Sequence, residues 1–417
     1  MSDLPEGREA SEAATGGPLQ GVKVIELAHV MAGPTCARML ADMGADVIKV
    51  EKVPGGDDIR RDTVPGEADD PSSHAFMMMN RNKRGVAINL KTPAGRAVLR
   101  RLLKTADVLI ENYRHDTMAK LGLGWDDLKT EFPRLVYCAV SGFGRSGPYA
   151  ERGGFDLVAQ GMTGLMSITG AEDSRAPVKV GPPITDIAAG VLAAMGVTAA
   201  LFARQRTGRG QFVDTSLLEA GVIFTYWHSA MAFATGSCPG PLGSAHPLSA
   251  PYQAYRTSDG WITLGAASEA NWRRLAAECG CPGVGEDPRF ADNASRMANK
   301  AALDSVLEPV FRSRTTADWL AALQAIGVPA GPIMTVPEMH RDPQVIARQM
   351  VPTLEHPRRG AVPTIGFPVK FSDTPVDIRR AAPDYGQHTI EVMLQHGFSE
   401  AEISRLSAAG DVLTGAE

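Results

Sequence analysis

The chain has 417 residues, 44% of them hydrophobic, enough to bury the cores of two or three domains. Its 42 Lys+Arg against 47 Asp+Glu leave a formal net charge of −5, which excludes a general nucleic-acid or membrane-surface binder, because those carry a basic excess. Five scattered cysteines, Cys36, Cys138, Cys238, Cys279 and Cys281, match neither a disulfide framework nor a zinc pattern, so no metal is expected and a reducing cytoplasm fits best.

Residues 1–18 are polar and acidic and lack the basic and apolar regions of a signal peptide; they read as a disordered tail. Beyond them, residues 22–27 are a β-branched run, 34–43 have helical spacing and 46–50 form a second strand. The alternation continues with a strand at 86–90, a helix at 93–105, a strand at 108–111, a helical patch at 125–132 and a strand at 135–140. Strands separated by helices imply a parallel, Rossmann-like sheet. Ligands bind outside the carboxyl ends of such strands, which directs attention to the loops after Leu27, Val50, Ile110 and Val140.

Gly142-x-Gly144-x-x-Gly147 in the last of these loops has the spacing of a dinucleotide fingerprint, but residues 148–154 continue as a loop where the fingerprint requires a helix. That reading is rejected. Arg81, Lys83 and Arg84 share one short stretch before a strand, which suits a polyphosphate as well as it suits a solvated basic loop.

Asp186 lies between a Gly/Pro turn and residues 187–203, which carry no charge and are rich in Ala and Gly. The run is expected to be a fully buried core helix rather than a membrane span. A helix start would favour an ionised carboxylate there, though an Asp in that place is more commonly a cap. Residues 236–251, rich in Gly, Pro and Ser, read as a crossover. They lead to a hairpin at 252–264 with Asp259-Gly260 as its turn, and to helices near 272–279, 301–311 and 317–326. Amphipathic helices at 388–397 and 400–408 close the chain. The expected division is a large domain from 19–225 and 331–417 and a small α+β domain from 226–330.

Several stretches together carry a family resemblance: residues 27–52, Asn82-Lys-Arg-Gly85, Glu111-Asn-Tyr113, Ser141-Gly-Phe-Gly144 with Gly147-Pro148, Gly154-Phe-Asp156, Asp186, Thr207-Gly-Arg-Gly-Gln211 and Gly386-Gln-His-Thr389. In this order and spacing the chain resembles the class III CoA-transferase family, also called CaiB/BaiF. The resemblance implies an α/β fold with a Rossmann-like large domain built from both chain ends, a smaller domain from the middle, and two interlocked subunits forming a homodimer. It implies acyl-CoA and a small carboxylic acid as substrates, coenzyme A being a substrate with no cofactor permanently bound. It places the catalytic aspartate on Asp186. The CoA-binding positions fall on Met31, Ala32 and Lys52, on Asn82, Lys83 and Arg84 for the phosphates, and on Asn112, Tyr113, Lys120 and Gly142.

Formyl-CoA:oxalate transferases of the family carry a glutamine at Met31 and a run of glycines at residues 242–248, and racemases carry a histidine at Phe155. Those differences point away from oxalate and from two-base racemisation, toward the branch that transfers CoA from succinyl-CoA to dicarboxylates through an anhydride and a thioester on Asp186. Oxyanions formed on the way would meet backbone N–H groups of residues 142–147 or of the small domain's Gly/Ser loop. His29 and His246 are candidate substrate-carboxylate contacts, and Asp156 either orients the site or caps its turn. A racemase or isomerase on the same scaffold and a non-catalytic CoA-binding protein are the alternatives.

Overall fold

The computed structural model describes residues 16–61, 73–172, 174, 176–281 and 283–415. Most of the expected tail at 1–18 lies outside them. The chain forms two compact units, one from residues up to Thr163 with Gly181–Phe224 and the chain from Pro343 on, the other from Gly164–Val180 and Thr225–Asp342.

The first unit opens with strand β1 (Lys23–Glu26), helix α1 (Ala32–Asp42), β2 (Asp46–Lys52), α2 (His74–Asn80), β3 (Lys83–Ile88), α3 (Pro93–Leu103) and β4 (Val108–Glu111). Short helices α4 (Thr117–Lys120) and α5 (Trp125–Leu128) precede β5 (Val136–Ser141) and α6 (Asp156–Met162). After α7 (Leu165–Ile168), which belongs to the second unit, come α8 (Ile184–Thr207), β6 (Phe212–Ser216) and α9 (Leu217–Ile223). Local chemistry sets the helix starts. Thr92 accepts the N–H of Gly95 with Pro93 leading α3, and Ser216 caps α9 through the N–H of Glu219.

β1 is central, paired in parallel with β2 (Val24 opposite Val47) on one side and with β4 (Val24 opposite Val108) on the other. β3 lies outside β2, and β5 and β6 lie outside β4. A late strand, Val412–Leu413, adds antiparallel to β3. The chain therefore winds outward from β1 through β3, then restarts at β4 on the other side of β1. That reversal opens a crevice at the carboxyl ends of β1 and β4. Apolar cores cover both faces, one joining α1 and α8 through Cys36, Leu40, Ala193 and Val197, the other joining α3 to the C-terminal helices through Leu99, Leu102, Val392 and Ile403.

Two sequence expectations change here. β3 begins at Lys83, so the basic stretch is not a loop; Arg81, Lys83 and Arg84 are all buried. Lys83 Nζ meets Glu26 Oε2 at 2.8 Å, and Lys49 Nζ meets Glu26 Oε1 at 3.2 Å and Asp57 Oδ2 at 2.9 Å, every one of these side chains being inaccessible to solvent. The second change concerns α8. Ala189, Ala193 and Val197 are buried, but Ile187, Val191, Met195 and Phe202 form an exposed stripe along it, Met195 and Phe202 being 61% and 62% accessible. The helix is therefore apolar on both faces and packed on one.

The second unit has a three-stranded antiparallel sheet, Tyr252–Arg256, Trp261–Gly265 and Ala330–Pro332. Its core is built on Trp272, Phe311 and Trp319, and the expected hairpin is its first two strands.

Candidate active site

The loop between β1 and α1 is held from three sides. Asn112, just after β4, accepts the N–H of His29 and donates to His29 O, both at 2.8 Å, and so spans the crevice. Asp57 accepts the N–H of Val30 at 3.1 Å. Val30 itself has φ +64, a strained conformation for a β-branched residue, of the kind found where function fixes a backbone. Asn112, an expected CoA contact, thus engages both its amide oxygen and its amide nitrogen with the loop.

On one side of this loop lies a cavity of about 220 Å³. Val50, Ile88, Leu90, Tyr113 and Leu121 give it apolar walls, and Lys52, Asn89 and Lys91 supply polar groups. His29 also lines it, packing edge-on against Tyr113 at 5.0 Å. Burial, seconded by Lys49, holds the His29 imidazole below its usual pKa, so at neutral pH it is uncharged; its Nδ1 is buried without a hydrogen-bond partner among the described residues. Of the expected CoA contacts, Lys52 and Tyr113 line the cavity. Asn89, Leu90 and Lys91 do so without having been singled out. They follow β3, and the carboxyl-end rule applied to that strand would have found them.

On the other side lies Asp186. α1 and α8 cross so closely at Gly190 that an added Cβ there would stand 2.5 Å from Ala32 O. Asp186 lies one turn before this crossing on α8. It is the third residue of α8, not its cap. Asp156 does the capping: its Oδ1 accepts the N–H of Thr185 at 2.9 Å and the Thr185 hydroxyl at 2.8 Å, while Oδ2 accepts from Gln160 at 2.7 Å. No hydrogen bond to the Asp186 carboxylate forms among the described residues. Burial, reinforced by Asp156, raises its pKa to about 6, so desolvation outweighs the helix-start effect expected from the sequence.

A group with that pKa is protonated as pH falls through 6, so any activity that needs the carboxylate should lose kcat/KM below that value. Asp156→Asn keeps an oxygen for Thr185 and removes the like charge. It should move the acidic limb down by roughly 0.5–1 pH unit, measured as a kcat/KM profile; an unmoved limb would count against the coupling.

The remaining expected contacts lie elsewhere. Asn82 is tied to Asp42 and Asp377, Lys83 to Glu26, and Arg84 to Asp46, Glu391 and Gln395; none of the three lines the cavity, and their donors are spent on internal acceptors. Lys120 is exposed on α4 and pairs with Asp116. Gly142 meets Gly154, where an added Cβ would lie 2.6 Å from the Gly154 Cα, so its missing side chain serves loop packing. In the 142–147 loop two N–H groups are already engaged, that of Gly144 by Ser141 Oγ and that of Arg145 by Asp214, each at 2.9 Å. No helix starts until Asp156, in keeping with the rejected dinucleotide reading.

A family model for CoA-transferase family III matches residues 19–389. The chain belongs to that family. Among its relatives, succinate--glutarate CoA-transferase of Agrobacterium fabrum is 38% identical, covering 95% of this chain and 98% of its own. Succinyl-CoA:glutarate CoA-transferase of Homo sapiens is 34% identical, covering 97% and 92%. A CaiB/BaiF family protein from Brucella suis, solved by crystallography, superposes with a TM-score of 0.80 at 39% identity over 91% of this chain and 100% of that one. The protein is thus an enzyme that transfers CoA. In this CoA-transferase the side chain at Phe155 is exposed and carries no proton to move, in line with the family branch expected from the sequence.

Proposed function

We propose that the enzyme moves CoA from succinyl-CoA to a dicarboxylic acid of the glutarate class, with Asp186 as the covalent relay. The observation that carries this reading is the Asp186 carboxylate itself, half-buried, free of hydrogen bonds among the described residues and one turn before the close crossing of α1 and α8 at Gly190. A carboxylate partly withdrawn from water and without donors among the described residues is a stronger nucleophile than a fully hydrated one. An Asp186 oxygen attacks the thioester carbonyl and the C–S bond breaks, giving a mixed anhydride and CoA thiolate. The thiolate attacks the Asp186 carbonyl carbon, succinate departs, and an aspartyl-CoA thioester remains. The acceptor carboxylate displaces CoA thiolate from this thioester to form a second anhydride. Return of the thiolate to the acceptor's carbonyl releases the new acyl-CoA and restores Asp186.

The cavity beside His29 suits the CoA body, with apolar walls for its uncharged parts and, as cations for its phosphates, Lys91 and Lys52, the latter in an exposed pair with Asp58 that a phosphate can replace. The succinyl donor and the dicarboxylate acceptor rest on the names of the relatives. Supplying succinyl-CoA and glutarate, and following CoA products by mass spectrometry, should yield glutaryl-CoA. Absence of any transfer from succinyl-CoA across a panel of C4 to C6 dicarboxylates would refute the donor assignment.

The same reading includes a homodimer. The exposed stripe of α8 and the exposed Leu157, Val158 and Met162 of α6 are an apolar surface of the sort that a second subunit covers. Light scattering should return about twice the chain mass of 44.3 kDa; a monomer at micromolar concentration would contradict it.

A further inference from the structure

In the first unit the buried Lys49 and Lys83 pair with Glu26, Arg60 with Glu51 and Arg81 with Asp42. Arg379 and Arg380 lie instead at the surface. Their backbone is fixed, because Asn82 Oδ1 accepts both their N–H groups, at 3.0 and 2.9 Å, and the Asn82 N–H donates to Arg380 O at 2.8 Å. Asn82 adopts φ +61 to do so. Both arginines are exposed and neither forms an ion pair among the described residues; Arg379 reaches only Asp377 O, at 3.5 Å.

The two arginines line two cavities. The smaller, about 220 Å³, sits at the amino ends of β2 and β3 beside Asp46, Arg84 and Glu391, so its carboxylates are already shared with Arg84. The larger, about 300 Å³, is also lined by His388, Gln387 and Glu355. His388 Nδ1 accepts the N–H of Gly85 at 3.1 Å, which leaves the imidazole proton on Nε2 as a donor. Gln387 Oε1 accepts the N–H of Asp384 at 2.8 Å, leaving its amide NH2 to donate. Against two guanidiniums and these two neutral donors the wall offers one carboxylate, Glu355. Adjacent guanidinium forks on a rigid backbone match oxyanions that accept pairs of hydrogen bonds.

We propose that this larger cavity binds a small polyanion, a molecule bearing at least two phosphate or carboxylate groups, at a site separate from the CoA cleft. The two guanidiniums hold one anionic group between them, and His388 and Gln387 receive the second.

The test uses the full-length enzyme and calorimetric titration with pyrophosphate and, separately, citrate at constant ionic strength. Saturable binding of either is expected, pyrophosphate alone marking a phosphate site and citrate alone a polycarboxylate site. Arg379→Ala/Arg380→Ala should weaken that binding at least tenfold with KM for the acyl-CoA substrate unchanged; Arg379→Gln/Arg380→Gln serves if the alanine pair does not fold. The idea is overturned if neither probe binds the wild type saturably at millimolar concentration, if the double variant binds unchanged, or if free CoA displaces the probe, which would put it in the CoA cleft.

Discussion

Asp186→Asn should abolish CoA transfer while leaving the fold at least as stable as before. If the carboxylate is the covalent relay, no neighbouring group substitutes for it, and a loss in kcat of roughly 10⁴-fold or more is expected, as for removal of other nucleophiles. The stability effect has the opposite sign. Folding lifts this carboxyl from 3.8 to about 6, so the folded state holds the proton more tightly than the unfolded chain. Its stability therefore declines as pH rises through that window, and at neutral pH the buried charge is a net cost. The amide removes that cost, worth up to about 3 kcal/mol at 1.36 kcal/mol per pKa unit. Urea unfolding at pH 7 combined with a transfer assay checks both halves. An Asn variant that is inactive only because it is unfolded would contradict the assignment, as would one that stays active. The pattern of lost activity with gained stability is what a strained functional carboxylate produces and a helix cap does not.

Glu26→Gln should have the largest effect on stability. Glu26 is the carboxylate between Lys49 and Lys83, and with its charge gone Lys49 keeps Asp57 while Lys83 loses the ion pair it has among the described residues. Removing one partner from a buried pair costs about 3–5 kcal/mol, because the remaining charge stays desolvated. Burial already lowers the Lys83 pKa to about 8 despite Glu26. The variant's deficit should therefore be greatest below pH 8, where Lys83 is charged in the wild type, and should shrink at pH 9, where it is largely neutral. The urea midpoint at both pH values gives the answer, with an unchanged slope showing that the folded state is otherwise intact. A change of under about 1 kcal/mol would mean that the cluster is better hydrated than its burial indicates.

The contrast between these two residues shows what the sequence made legible. The alternation of β-branched runs and helical spacing led to a parallel sheet and to its first five strands along the chain, and the family resemblance, joined to the Gly/Pro turn before an uncharged run, led to Asp186. The carboxyl-end rule directed attention to His29 and Lys52, which line the cleft. What escaped the sequence had physical causes. Lys83 and Arg84 belong to a strand because each is buried in an ion pair, and an apolar pattern cannot register a charge that is neutralised by a residue dozens of positions away. Reading β3 as running to Leu90 placed Asn89 and Leu90 inside a strand that ends at Ile88, so the cleft residues after it went unnoticed. The stripe of Ile187, Val191, Met195 and Phe202 was read as core because apolar side chains usually are; within one chain it is surface. Asp156 caps α8 by accepting from Thr185, a contact across 29 positions that no local motif announces.

The covalent relay is the central claim, and intact-protein mass spectrometry after incubation with succinyl-CoA tests it most directly. The account predicts a gain of one CoA less one water, mapped to the peptide that contains Asp186, absent in Asp186→Asn and discharged by added glutarate with appearance of glutaryl-CoA. Turnover without any adduct under single-turnover conditions, or an adduct on a different residue, would contradict it.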